Sequence, residues 1–192
     1  SFDEKGVSEK KQYWDPLQDK ELIDKKNIKK ELTEVLKDSI RYRGISDVDV
    51  GVFLSGGVDS STNAYFFSKN LKKKIKTFSI GYDQEYKSYK SELNYARIVA
   101  NQIKSKHFEK KLKKGDIKDI IFDMVYFQDE PISDPVCVPI FYVSKLAREN
   151  NVKVCQVGEG ADELFFGYTN WYRTSKINSL INNIFFPKLL KK

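Results

Sequence analysis

An apolar run, Val48, Val50, Val52, Phe53 and Leu54, leads directly into Ser55-Gly56-Gly57-Val58-Asp59-Ser60-Ser61, and few folds accommodate that junction. The run reads as a buried parallel strand, the two glycines as a tight turn, and Asp59-Ser60-Ser61 as the opening of a helix. Amide N–H groups at such a turn point outward without partners. Glycine lets an anion approach the main chain, and the helix dipole adds positive potential there. A phosphate is the anion that fits. The stretch is neither the eight-residue P-loop, since no Gly-Lys-Ser/Thr follows, nor Gly-x-Gly-x-x-Gly. The competing reading is a plain helix cap in which Asp59 and Ser60 satisfy orphan amides and nothing binds. A serine, two glycines, an aspartate and a second serine in one turn favour the nucleotide.

The rest of the chain repeats the alternation of strand and helix. Ile28, Leu32, Val35, Leu36, Ser39 and Ile40 recur at helical spacing and predict a helix covering one face of a sheet, stopped at 41–44. After the glycine turn come a helix through Ala64, Phe67 and Leu71, a strand at 75–80, a loop at 81–87, and a helix with its small-residue seam at Leu93, Ala96, Arg97, Ala100 and Ile103. A strand at 107–112 and a helix at 116–125 follow. Three prolines break every period across 129–139 and predict a restrained loop, ahead of a helix at 140–149 and a strand at 152–157. The second glycine turn, Gly158-Glu159-Gly160-Ala161-Asp162-Glu163, comes directly after that strand, and helical spacing returns at Ile177, Leu180, Ile181 and Ile184. This order predicts an α/β fold, a parallel sheet with helices on both faces.

Both glycine turns follow strands, and in open α/β sheets ligands collect at the carboxyl edge. A triphosphate brings about four negative charges, so aspartates beside it make sense only with a divalent cation between them. Asp59 and Asp162 are the pair assigned to magnesium. Asp162 and Glu163 read equally well as acids that complement the dipole of a helix's first turn.

Charge and cysteine usage narrow the partners. The chain of 192 residues carries a formal net charge of +7, yet arginine occurs only at Arg41, Arg43, Arg97, Arg148 and Arg173. Lysines spread over 72–76 and 104–118 read as solvated loops and helix faces, so nucleic acid is not expected as a partner. Cys137 and Cys155 lack metal spacing and sit in apolar segments, as small hydrophobes do in a reducing compartment. The chain opens without a charged segment followed by an apolar one. The apolar cluster of Leu180, Ile181, Ile184, Phe185 and Phe186 is broken by asparagines and Pro187, so no membrane is expected and the chain reads as cytoplasmic.

Ser55 to Ser60 resembles the pyrophosphate loop of the N-type ATP pyrophosphatases, which cleave ATP to AMP and pyrophosphate. With Phe78-Ser79-Ile80-Gly81, Asp129-Glu130-Pro131-Ile132-Ser133-Asp134-Pro135 and Gly158-Glu159-Gly160-Ala161-Asp162-Glu163-Leu164-Phe165-Phe166-Gly167-Tyr168, in this order, residues 30–175 resemble the synthetase domain of glutamine-hydrolysing asparagine synthetases. GMP and NAD synthetases share the first motif, whereas the last is more particular to this group. The resemblance implies a Rossmann-like ATP-pyrophosphatase fold of the adenine nucleotide alpha hydrolase type. It also implies an ATP-dependent amide ligase. ATP adenylates the side-chain carboxylate of aspartate with release of pyrophosphate, and ammonia derived from glutamine then gives asparagine and AMP.

By the same resemblance Ser55, Gly56, Gly57, Asp59 and Ser60 hold the pyrophosphate and its Mg2+, and Phe53, Ile80, Val157 and Gly158 line the adenosine pocket. Glu159 stands at the reacting carboxylate as a base or charge-orienting group, and Asp162 supplies the second metal carboxylate. Asp129, Glu130 and Asp134 either border the aspartate pocket or form a capped, solvated turn. His107, the only histidine, reads as a packing and hydrogen-bonding residue.

Departures from the family pattern set the expected limits of the chain. The family's glutaminase domain starts with a cysteine after the initiator methionine, whereas this chain starts with Ser1. Residues 1–14 read as the last hairpin of that preceding domain, ending in Tyr13 and Trp14, and 15–192 as the synthetase domain, entered through a charged connector at 15–26. A downstream arginine-proline-phenylalanine-leucine-aspartate stretch and a catalytic lysine have no match before Lys192, so the domain is expected to be truncated at its C-terminal end. Two alternatives stay open: a related synthetase amidating or cyclising another carboxylate, and a catalytically incomplete ATP-binding module. An RNA-modifying pyrophosphatase would need reactive cysteines or an RNA-binding domain, and neither is visible. The oligomer is left open, a homodimer included. The reading as a whole expects ATP to bind without efficient turnover.

Overall fold

The computed structural model of the chain describes residues 2–3, 6–7, 10–13, 15, 26–71, 73–83, 92–130, 132 and 134–183. Of the segments singled out in the sequence, Trp14, most of the 15–26 connector, residues 84–87, Pro131, Ser133 and 184–187 lie outside them. The chain divides into two units, Ser1–Leu36 and Lys37–Lys192. In the first, β1 (Phe2–Asp3) and β2 (Gly6–Val7) pair antiparallel, Phe2 opposite Val7, as the hairpin reading of this stretch requires. The boundary falls inside α1 (Ile28–Arg43).

The second unit runs β3 (Val50–Phe53), α2 (Val58–Asn70), β4 (Lys76–Tyr82), α3 (Leu93–Gln102), β5 (Lys106–Leu112), α4 (Lys114–Gln128), α5 (Cys137–Glu149), β6 (Val154–Gln156), α6 (Ala161–Phe165) and α7 (Thr169–Asn183). The four strands form one parallel sheet in the order β5-β4-β3-β6. The chain winds outward from β3 through β4 to β5, then crosses back to lay β6 against the other side of β3. Parallel crossovers are right-handed, so this reversal puts the helices of the two windings on opposite faces. Alternation along the strands fills both faces. Val52 and Leu54 join Ala64, Phe67, Ala96 and Ala100 of α2 and α3, with Ile40 of α1. Phe53, Phe78 and Leu112 face α4 and α5, where Ile120, Val138, Val143 and Ala147 are buried. Phe78 stacks on Phe108 at 5.4 Å between ring centroids. Each Val, Leu, Ile or Phe side chain fully removed from water here contributes about 1.5–3 kcal/mol, the alanines less.

β4 runs on through Gly81 and Tyr82 into the expected loop, and α1 and α5 also differ from expectation. Ile40 is the buried residue of α1, where Gln156 Nε2 donates to its carbonyl at 3.4 Å, so α1 enters the core near its C-terminal end instead of along a full stripe. α5 begins at Cys137, three residues ahead of the predicted start, because Pro139 falls in the first turn, where a missing N–H leaves no hydrogen bond unmade. Asp116 accepts the Lys113 N–H at 2.6 Å to open α4, and Tyr142 of α5 donates to the Asp116 carbonyl at 2.8 Å. Among the described residues no helix is long and apolar enough to cross a membrane.

The face of β5 toward α3 is polar. Thr77 is fully buried, its Oγ1 2.9 Å from Ser105 Oγ and 2.8 Å from His107 Nδ1. His107 therefore packs and bonds, as its place in the sequence implies. Its Nε2 lies 3.1 Å from Glu109 Oε1 but off the line a hydrogen bond needs. Burial lowers the His107 pKa below the ordinary 6.5, although the Glu109 carboxylate pulls the other way. The unfolded chain then takes up a proton near 6.5 that the native ring still refuses. Stability is fully present above that value and falls as pH drops through the window below it. Urea midpoints should decrease from about pH 7 to about pH 5, and His107→Gln should flatten the upper part of that slope. An unchanged slope in the variant would contradict this account.

Candidate functional site

The end of β3 is pinned before the chain turns. Leu54 donates its N–H to the Phe78 carbonyl at 2.8 Å, and the buried Ser79 hydroxyl donates to the Leu54 carbonyl. At Gly56 the backbone takes φ +96°, and a Cβ there would stand 2.6 Å from the Ala96 nitrogen and 2.9 Å from the Glu92 carbonyl oxygen. Only glycine meets both demands. Two serines brace the turn. Ser55 Oγ accepts the Gly57 N–H at 3.1 Å and lies 2.9 Å from Ser60 Oγ, which accepts the Ser55 N–H at 3.2 Å and donates to the Gly57 carbonyl at 3.2 Å.

This brace decides what the turn offers a ligand. The N-cap of α2 is Gly57, which has no side chain to cap the helix, and Ser60 turns its oxygen back to the Ser55 N–H. The amides of Val58, Asp59 and Ser60 fall in the first helical turn, where no carbonyl stands four residues back within the helix. Val58 is 81% exposed, so its side chain leaves that end of the 13-residue helix uncovered. Open amides and the dipole together suit an anion.

Parallel pairing of β3 with β6, Val52 opposite Gln156, sets the second glycine turn beside the first. At Gly158 a Cβ would stand 3.2 Å from both the Asp59 carbonyl carbon and the Ser60 nitrogen, so this residue packs directly on the Asp59–Ser60 peptide. Gly160, at φ +87°, opens α6. Glu159 and Asp162 are exposed and Asp59 is half-buried. The Asp162 side chain lies against Gly167, whose N–H donates to the Asp162 carbonyl at 2.9 Å, and Glu163 accepts the Tyr168 hydroxyl at 2.8 Å. Among the described residues no three His, Cys, Asp or Glu side chains gather closely enough to hold a metal ion. Magnesium needs fewer, since it is commonly held by one or two carboxylates plus substrate phosphates, and the hard oxygen donors of Asp59 and Asp162 suit it.

The remaining predicted residues sit around this edge. Phe53 and Ile80 are half-buried on the face toward α4 and α5, and Val157 is 50% exposed. Phe53 also borders a groove of about 970 Å³ lined by Met124, Phe127, Phe141 and Cys155, which otherwise lies away from the glycine turns. Burial pushes the Cys155 thiol up to about 11. Asp129 caps α4 in the left-handed region and Asp134 accepts the Val136 N–H at 2.9 Å, so both carboxylate positions have turn-forming work. Sequence reading missed Ser79 as the lock on β3 and Ala96 as the floor under Gly56. The small-residue seam of α3 was the available signal for the second.

A family model described as Asparagine synthase matches residues 31–188. A protein of Mycobacterium tuberculosis named a putative glutamine-hydrolyzing asparagine synthetase is 40% identical over 139 residues, 72% of this chain and 21% of its own length. Another so named in Methanocaldococcus jannaschii is 36% identical, covering 93% of this chain and 33% of its own, and a Bacillus subtilis asparagine synthetase is 37% identical over 75% and 22%. The chain thus spans between a fifth and a third of the length of these relatives. A solved NH3-dependent NAD synthetase of Campylobacter jejuni superposes with a TM-score of 0.46 at 20% identity, over 72% of this chain and 60% of that one.

Gly56→Ala should cost about 1–3 kcal/mol in urea unfolding, since it strains φ and presses on α3. Gly115→Ala in α4, where a Cβ meets nothing within 4 Å, is the control and should be neutral or stabilising. Equal stability of the Gly56 variant and wild type would refute the fit described.

Proposed function

The chain belongs to the asparagine synthase family, and from that premise we propose that it is the ATP-binding part of an ATP-dependent amide ligase. The contact of Gly158 with the Asp59–Ser60 peptide carries the reading, because it joins the open amides of α2 to the acidic second turn at the point where the sheet's winding reverses. The phosphate chain of ATP rests on the Ser55 to Ser60 turn at its helical end, where the serine brace leaves amides of the first turn of α2 open. Phe53, Ile80, Val157 and Gly158 line the adenosine pocket.

Asp59 and Asp162 hold Mg2+, which when bound offsets charge on the departing pyrophosphate. Glu159, exposed beside the turn, orients the reacting carboxylate and the incoming amine. The substrate carboxylate is the side chain of aspartate, adenylated by ATP with loss of pyrophosphate. Ammonia released from glutamine displaces AMP to give asparagine. The setting is cytoplasmic, and the partners are small molecules.

Calorimetry with ATP and magnesium tests the reading on this chain. Wild type should bind, and Asp59→Ala should bind about 10- to 100-fold more weakly. No binding at millimolar ATP, or equal binding by the variant, would overturn it. Pyrophosphate release dependent on both ATP and aspartate, measured on a chain extended to the length of its relatives, tests the substrate. Release with a different acid in place of aspartate would keep the nucleotide site and change the ligase's substrate.

A further inference from the structure

The floor beneath the phosphate turn is the first turn of α3, and the residue after Ala96 in that helix is Arg97. Its guanidinium grips Glu109 of β5 as a fork, Nε to Oε1 at 2.8 Å and Nη2 to Oε2 at 2.7 Å, while Nη1 reaches Asn94 Oδ1 at 3.2 Å. Glu109 Oε1 also lies 3.1 Å from Nε2 of His107, itself fixed on the buried Thr77. The buried residues of α3 are Leu93, which lies over Gly81 of β4, and Ala96 and Ala100, with Val99 half-buried beside them. The two alanines let the helix lie close to the sheet. The fork adds a polar tie to β5 on the turn of α3 that carries Ala96. It fixes α3 by geometry, two parallel bonds from a planar group.

We propose that Arg97 is a positioning residue for the phosphate turn: through Glu109 it holds α3 in register on β5, and α3 in turn supports Gly56. This rests on the ATP reading of the turn given above. Half-exposed ion pairs add little to stability, and Arg97 is 45% exposed, so its loss reads on binding more than on folding.

The test separates this role from simple attraction between a cation and a polyphosphate. Arg97→Ala, Arg97→Lys and Glu109→Gln are compared with wild type by calorimetry against ATP and magnesium, with thermal melts on the same samples. Positioning predicts that Arg97→Ala and Glu109→Gln both bind about fivefold more weakly, with Arg97→Lys between them and wild type. Attraction at a distance predicts the opposite sign for Glu109→Gln, which removes a negative charge and should bind as well or better. Tight binding by Glu109→Gln would therefore overturn the proposal, as would full affinity in Arg97→Ala. If Arg97→Ala fails to fold, the Glu109→Gln and Arg97→Lys pair decides alone. Failure of wild type to bind ATP at all would instead remove the ATP reading. Binding by wild type that is lost in Asp59→Ala but kept in Arg97→Ala and Glu109→Gln would remove only the positioning role.

Discussion

The candidate site depends on β3 having a parallel partner on each side. β4 decides where β3 ends, through the Leu54 N–H to Phe78 and the Ser79 hydroxyl to Leu54, and so fixes the height at which the glycine turn leaves the sheet. β6 decides what stands next to that turn. Its register against β3 delivers Gly158 onto the Asp59–Ser60 peptide, where a Cβ would stand 3.2 Å away and crowd it. β3 and β6 meet where the winding of the sheet reverses, the point at which an open α/β sheet forms its ligand crevice.

Much of this was legible in the sequence because it is local. The strand before Ser55 shows in its apolar run, and the turn shows in two adjacent glycines whose conformational demands few other residues meet. The alternation that predicts a parallel sheet is a matter of period and punctuation. What could not be read is where distant segments touch. Nothing near Gly56 announces that its neighbour is Ala96, and Ser79 looks like any polar residue in a strand until its hydroxyl is found on the Leu54 carbonyl. Pro139 misled in the other direction, since a proline that breaks a helix interior is harmless in a first turn. Asp134 shows the limit of motif reasoning. Its carboxylate position is explained by the turn it closes, whatever else it does.

The basic balance of the chain is also clearer in three dimensions. Lys69, Lys106 and Lys110 lie 5.2, 5.3 and 4.3 Å from the ring centroids of Tyr65, Phe108 and Tyr142. Lysine here covers aromatic surface as well as adding charge. The glycine turns present backbone amides and carboxylates, so an anion there would meet oriented dipoles and not a cluster of arginine.

The register of β3 with β6 joins residues roughly a hundred positions apart, Val50 opposite Val154, whereas β3–β4 and β4–β5 each join residues about twenty-five to thirty apart. Closing the longer loop costs more chain entropy, and its ladder of three pairs is shorter than the seven of β4–β5 though not than the two of β3–β4. By loop length alone the β3–β4 and β4–β5 pairings cost less chain entropy than β3–β6. The glycine turn and its floor on α3 therefore belong to the more local part of the sheet, while the neighbour that Gly158 supplies depends on its longest-range strand pairing.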